Sequence, residues 1–150
     1  MVFIVGVTIA TLIGDNGILT KANEAERKTE EAEEEEKINL AIIASSIEGN
    51  KTLNAKSLKN ELESQFRGQE LYIIDNGDGS FLISIDERKY YINDDTTVIS
   101  NENIVEIKDS EDLKNFRDDV NSGNSYEGKV VLLTNDIDLN GEEWEPIRIL

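Results

Sequence analysis

Apolar and polar positions change pattern repeatedly along this chain. From Val2 to Ile13 the residues are Val, Ile, Leu, Phe, Ala, Gly and Thr without a charge. A bilayer-spanning helix takes roughly 20 such residues, so this run reads as part of a membrane helix, a buried core helix or an incomplete signal-peptide core. Neither the basic residues that precede a signal core nor a small-residue cleavage site after it is present. Gly14-Asp15-Asn16-Gly17 then interrupts the helix, because Gly and Asn tolerate positive φ and Asp or Asn caps a new start. Beyond the break Ile18, Ala22, Ala25, Thr29 and Ala32 recur at alternating four- and three-residue steps, and Leu40, Ile43 and Ile47 take up a similar stripe. This predicts one face of a long helix that stops at Gly49-Asn50. Around the narrow, Ala-rich stripe lie Glu24, Glu26, Glu30, Glu31, Glu33, Glu34, Glu35 and Glu36, relieved by Arg27, Lys28 and Lys37. Such a run reads as a solvated helix face.

The period then shortens. Asn54 caps a short helix with Leu58, Leu62 and Phe66 at four-residue spacing, ended by Gly68. LYIID (71–75), SFLISID (80–86) and KYYIN (89–93) are strand-like, with Phe81, Ile83 and Ile85 sharing one face. Asn76-Gly77-Asp78-Gly79 is hairpin-turn chemistry, Glu87-Arg88 falls in the next turn, and Val98-Ile99 adds a further strand. A helix covering an antiparallel meander buries both apolar faces. From Ile104, IVEIKD reads as a strand. A helix follows, capped by Asp109 or Ser110, carrying Leu113, Phe116 and Val120 and closed near Gly123. The next strand, KVVLL (129–133), is apolar enough for burial on both faces; after it Asp136 and Asp138 face one way and Ile137 and Leu139 the other.

Charge and composition narrow the chemistry. With 150 residues, a formal net charge of -17 and a pI near 4.3, the chain is a poor match to nucleic acid, which needs clustered Lys and Arg. It has no cysteine and no histidine, so disulfides, thiolate sites and the usual general base are excluded. The Asp75–Ser80 segment places Gly77 and Gly79 where a calcium loop needs ligands, and reads as a turn; Asn93-Asp94-Asp95 reads the same way. Asp136, Asp138 and Asn140 offer oxygens for calcium, against which stands their use as turn caps. Trp144 reads as a plug over a module's end, and Tyr72, Tyr90 and Tyr91 either flank a sheet or form a small aromatic patch.

The string GVTIATLIGDNGILTKANEAERKTEEAEEEEKINLAI resembles the membrane-exit block of type IV pilin-like surface proteins of anaerobic Gram-positive bacteria. The family's Gly-Phe-Thr-x-x-Glu processing site is missing from this sequence. The block from Ser110-Glu111-Asp112-Leu113 through Val120-Asn121-Ser122-Gly123 and Asp136-Ile137-Asp138-Leu139 to Trp144-Glu145-Pro146-Ile147 resembles the lead-in to the GLUG-type β-solenoid of bacterial adhesins, with Arg148 where that family has Gly. Together they imply an α+β chain: an incomplete apolar membrane-type helix over 1–14, a charged helical stalk over 15–50, a small α+β pilin-like head over 51–103 and a truncated right-handed β-solenoid lead-in over 104–150. The implied protein is membrane-anchored at the cell surface, with membrane or pilin neighbours along the N-terminal helix and a host or cell-surface ligand.

The expected function is structural or adhesive. The competing readings are the accessory N-terminal part of a secreted hydrolase, for which Asp136 and Asp138 are the only paired carboxylates in view, and a truncated soluble relative without a surface role. No catalytic, cofactor-binding or metal-binding residue is assigned.

Overall fold

The computed structural model describes residues 17–48 and 53–148. The apolar stretch 1–14, most of the Gly14–Gly17 break and the Gly49-Asn50 stop lie outside the described residues. In chain order the elements are α1 (Ile18–Glu48), α2 (Ala55–Gln65), β1 (Leu71–Asp75), β2 (Phe81–Ile85), β3 (Arg88–Ile92), β4 (Val98–Ile99), a 3-10 turn (Asn101–Asn103), β5 (Ile104–Ile107), α3 (Ser110–Asn121) and β6 (Val130–Leu133). The chain is α+β, with a long N-terminal helix and an antiparallel sheet.

The sheet is a four-stranded meander in the order β1-β2-β3-β4. Its first turn closes as the Asn-Gly-Asp-Gly composition predicts. Gly77 and Gly79 take positive φ, Asp75 Oδ1 accepts from the Gly77 amide and Asp78 Oδ1 from the Ser80 amide. Register sets Ile73, Ile83 and Tyr90 in one cross-strand row, and Leu71, Ile85 and Arg88 in the next. This inner face meets α2, whose start is capped by Asn54 Oδ1 accepting from the Ser57 amide and whose Leu58, Leu62 and Phe66 are buried.

The same core takes in α1. Ile38, Ala41 and Ile42 cluster with Leu58, Leu62, Phe66, Phe81, Ile83, Ile85, Tyr90 and Ile92. The stretch read as a stalk and the stretch read as a head are therefore packed around one core. α1 docks through the face carrying Glu31, Glu34, Ile38, Ala41, Ile42 and Ser45, whereas residues 18–30 are exposed throughout. The glutamate run is thus not wholly a solvated face: Glu31 and Glu34 are buried. The stripe expected from periodicity does lie on one side of the helix, opposite the head, and its members Leu40, Ile43 and Ile47 are 50%, 58% and 77% exposed. At Glu34 the buried carboxylate is received by Arg88 of the sheet, whereas Glu31 pairs with Arg27 of its own helix.

β5, α3 and β6 form a strand-helix-strand unit whose strands pair in parallel, Ile104 with Val130 through Ile107 with Leu133. Asp109 caps α3, its Oδ1 accepting from the Glu111 and Asp112 amides, while Asp112 accepts in return from the Lys108 amide. Phe116 meets Tyr126 edge-on at 4.8 Å, and Arg117 lies over the Trp144 ring at 5.1 Å. Asn121 straps the terminal segment to α3, donating to the Pro146 carbonyl and accepting from the Arg148 amide. KVVLL is not buried on both faces as its apolarity predicts: β6 pairs only with β5, and Leu133 is largely exposed. The reason is topological, since no third strand covers its outer edge among the described residues. Beyond β6 the segment carrying Asp136 and Asp138 continues outside regular strand, with Ile137 and Leu139 half-buried.

Candidate functional site

A polar constellation lies where α1 meets β3. A two-residue turn at Asp86-Glu87 ends β2, with Asp86 at φ 51. Its carboxylate accepts from the Glu70 amide at 2.9 Å and from Gln69 Nε2 at 3.0 Å, and these bonds hold the Asp86 carboxyl below its ordinary range. The turn delivers Arg88 into the first position of β3, on the same face as Tyr90, instead of leaving it in the loop as expected. From there the guanidinium donates to Glu34 Oε1 at 2.5 Å and to Glu30 Oε2 at 3.0 Å. Tyr90, fully buried, donates its hydroxyl to Glu34 Oε2 at 2.6 Å. Both Glu34 oxygens are satisfied by β3, and this is what allows a carboxylate to be buried there. Hydrogen bonding to Glu34 raises the Arg88 pKa, and burial followed by the Glu34 contact pushes the Tyr90 phenol well above its ordinary value. Chemically the arrangement is a rivet between helix and sheet.

Outside the sheet, Tyr72, Ile74, Leu82, Ser84 and Lys89 line an apolar groove of about 390 Å³ together with Leu132 and Leu133 of β6 and the following Thr134. Its side at β3 is held by Lys89, which pairs with Glu106 of β5 and whose amide donates to Asn101 Oδ1 at 3.0 Å. Hydrogen bonding from Lys89 and Lys108 keeps the Glu106 carboxyl below its usual range.

The residues weighed from sequence distribute widely. Asp136, Asp138 and Asn140 are exposed, and Asp138 Oδ1 accepts from the Asn140 amide at 2.8 Å, a turn bond. Among the described residues no group of three or more His, Cys, Asp or Glu is placed to hold a metal ion. Tyr72, Tyr90 and Tyr91 do not form a patch: Tyr90 points inward to Glu34, while Tyr72 is exposed and Tyr91 donates to Ser80 Oγ at 2.8 Å. Trp144 is half-buried against Arg117 on α3. The rivet was not visible in sequence, because its partners are 54 positions apart and no local spacing marks them.

Among the described residues no helix is long and apolar enough to cross a membrane. Comparison of the chain with protein families, curated proteins and solved structures finds no match.

Proposed function

We propose that the chain is a non-catalytic structural and adhesive protein of the cell surface, held at its apolar N-terminal end and displaying a small head. The observation that carries this reading is the form of α1. Its first residues, 18–30, are exposed throughout, with Glu30 reaching Arg88 at the end of that stretch, and its later part is built into the core of the head. An apolar stretch precedes that bare helix in the sequence, so the order along the chain is apolar segment, spacer, head. The acidic surface of the spacer keeps it solvated and extended, since like charges spaced along a helix oppose collapse onto an anionic envelope. The parallel pairing of β5 with β6 supports reading residues 104–150 as the lead-in of a β-solenoid, whose outer edge would be continued by further strands.

The test is to label intact native cells with a membrane-impermeant amine reagent and fractionate them. The expected result is labelled protein in the envelope fraction, released only by detergent. Unlabelled protein recovered from the cytosol without detergent would overturn the proposal.

A further inference from the structure

The apolar stripe on α1 is exposed along its length, and the geometry points to a second copy of this chain as its occupant, bound as a parallel, in-register pair of α1 helices. Ile18, Ala22, Ala25, Thr29, Ala32, Leu40, Ile43 and Ile47 fall within about 40° of one line along the helix. Every one of them is exposed. The head packs on the opposite side, through Glu34, Ile38, Ala41 and Ser45. Two copies can therefore bring their stripes together along a common axis with the docked face of each helix turned outward.

Charge selects the partner and its direction. With Ile18, Ala25 and Ala32 as d positions and Ala22 and Thr29 as a positions, Lys21 and Lys28 fall at g and Glu26 and Glu33 at e. In a parallel pair each g residue faces the following e residue of the other helix, so Lys21 meets the partner's Glu26 and Lys28 meets the partner's Glu33, twice over by symmetry. An antiparallel pair sets g against g and e against e, bringing lysines to lysines and glutamates to glutamates. Lys21, Glu26 and Glu33 take part in no ion pair among the described residues, and Lys28 holds only an exposed 3.7 Å contact with Glu24 that it can exchange. Glu36 lies in the stripe between Ala32 and Leu40, so the two copies of this carboxylate oppose each other and keep the association reversible. This inference does not depend on the surface reading, since it uses α1 alone.

The experiment uses the full chain in non-ionic detergent, followed by analytical ultracentrifugation over a range of concentrations. The wild-type chain is expected to show a monomer–dimer equilibrium. Lys21→Glu with Lys28→Glu is expected to weaken it about tenfold or more, as is Glu26→Lys with Glu33→Lys, and the four changes together to restore it. Glu36→Gln is expected to tighten it. Because the chain is free of cysteine, Ala32→Cys should form a disulfide-linked dimer on mild oxidation, whereas Asn115→Cys on α3 should not. All substituted positions lie outside the core, and circular dichroism checks that each variant keeps its fold. A monomer at all concentrations overturns the inference. So does an association indifferent to both charge reversals, which would place the contact in the apolar segment before α1.

Discussion

At the scale of single residues, Glu34 is the position on which most depends. Its two oxygens serve Arg88 and Tyr90, so Glu34→Leu leaves a guanidinium and a phenol without their acceptor. Losing buried hydrogen bonds to a charged group costs about 1.5–3 kcal/mol each at most, and Arg88 recovers part of this from Glu30 and water, so a total loss of about 2–4 kcal/mol in urea unfolding is expected. Glu31 gives the opposite outcome. It is buried, its Oε1 has no hydrogen-bond partner among the described residues, and its contact with the half-exposed Arg27 is long at 3.4 Å. Glu31→Met is expected to raise the melting temperature, because a buried carboxylate with an unmet oxygen costs more than a flexible apolar side chain of similar length. Tyr90 carries the alkaline side of the pH response. A phenol with a raised folded pKa contributes stability that is complete below its ordinary titration range and is lost as pH climbs toward the folded value. Absorbance at alkaline pH should show one tyrosine that ionises only with unfolding, and Glu34→Gln should release it at lower pH. For Glu106 the sign is reversed: its lowered pKa contributes stability above the ordinary carboxylate range that is lost as pH falls through the folded value, and Glu106→Gln should flatten the acid limb of stability against pH.

At the scale of elements, periodicity was a sound guide to existence and a poor guide to docking. The caps at Asn54 and Asp109, the turn through Gly77 and Gly79, and the alternation of Phe81, Ile83 and Ile85 all act within a few residues, and each was legible. The stripe on α1 was legible as well, but apolarity alone assigned its large residues no partner, and the head chose the other face. That choice rests on Arg88 and Tyr90 meeting Glu34, a long-range pairing that no window of sequence contains. Likewise the apolar run in β6 signals an interior strand, and only topology shows that it sits at an edge. Two adjacent residues test the reassigned faces. In dilute protein, where α1 is unpaired, Ile42→Ala should cost about 2–4 kcal/mol, as removal of a buried Ile does, while Ile43→Ala should fall within about 0.5 kcal/mol of wild type. Equal losses at the two positions would return the helix to the orientation that its stripe first suggests.

For the whole molecule, the distribution of burial predicts a gradient of local stability. The cluster joining α1, α2 and the meander contains nearly all fully buried apolar side chains, whereas α3 has none and β5 contributes Ile107. Amide hydrogen exchange should be slowest in β2, β3 and residues 38–45 of α1, intermediate in the β5-α3-β6 unit, and fastest, among helical amides, over residues 18–30. Slow exchange across that bare part of α1 in a dilute sample would contradict the assignment of its stability to the head. The way α1 is mounted also has a mechanical meaning. Because the helix lies lengthwise on the head from Glu31 to Ser45, with the Glu34–Arg88 rivet near the start of that contact, a pull on its N-terminal end is directed along the interface. The load is then shared in shear by the whole row of contacts and is not peeled away one residue at a time. Tension applied to the exposed end of α1 would reach the hydrophobic centre of the head directly, without passing through the short connection between α1 and α2.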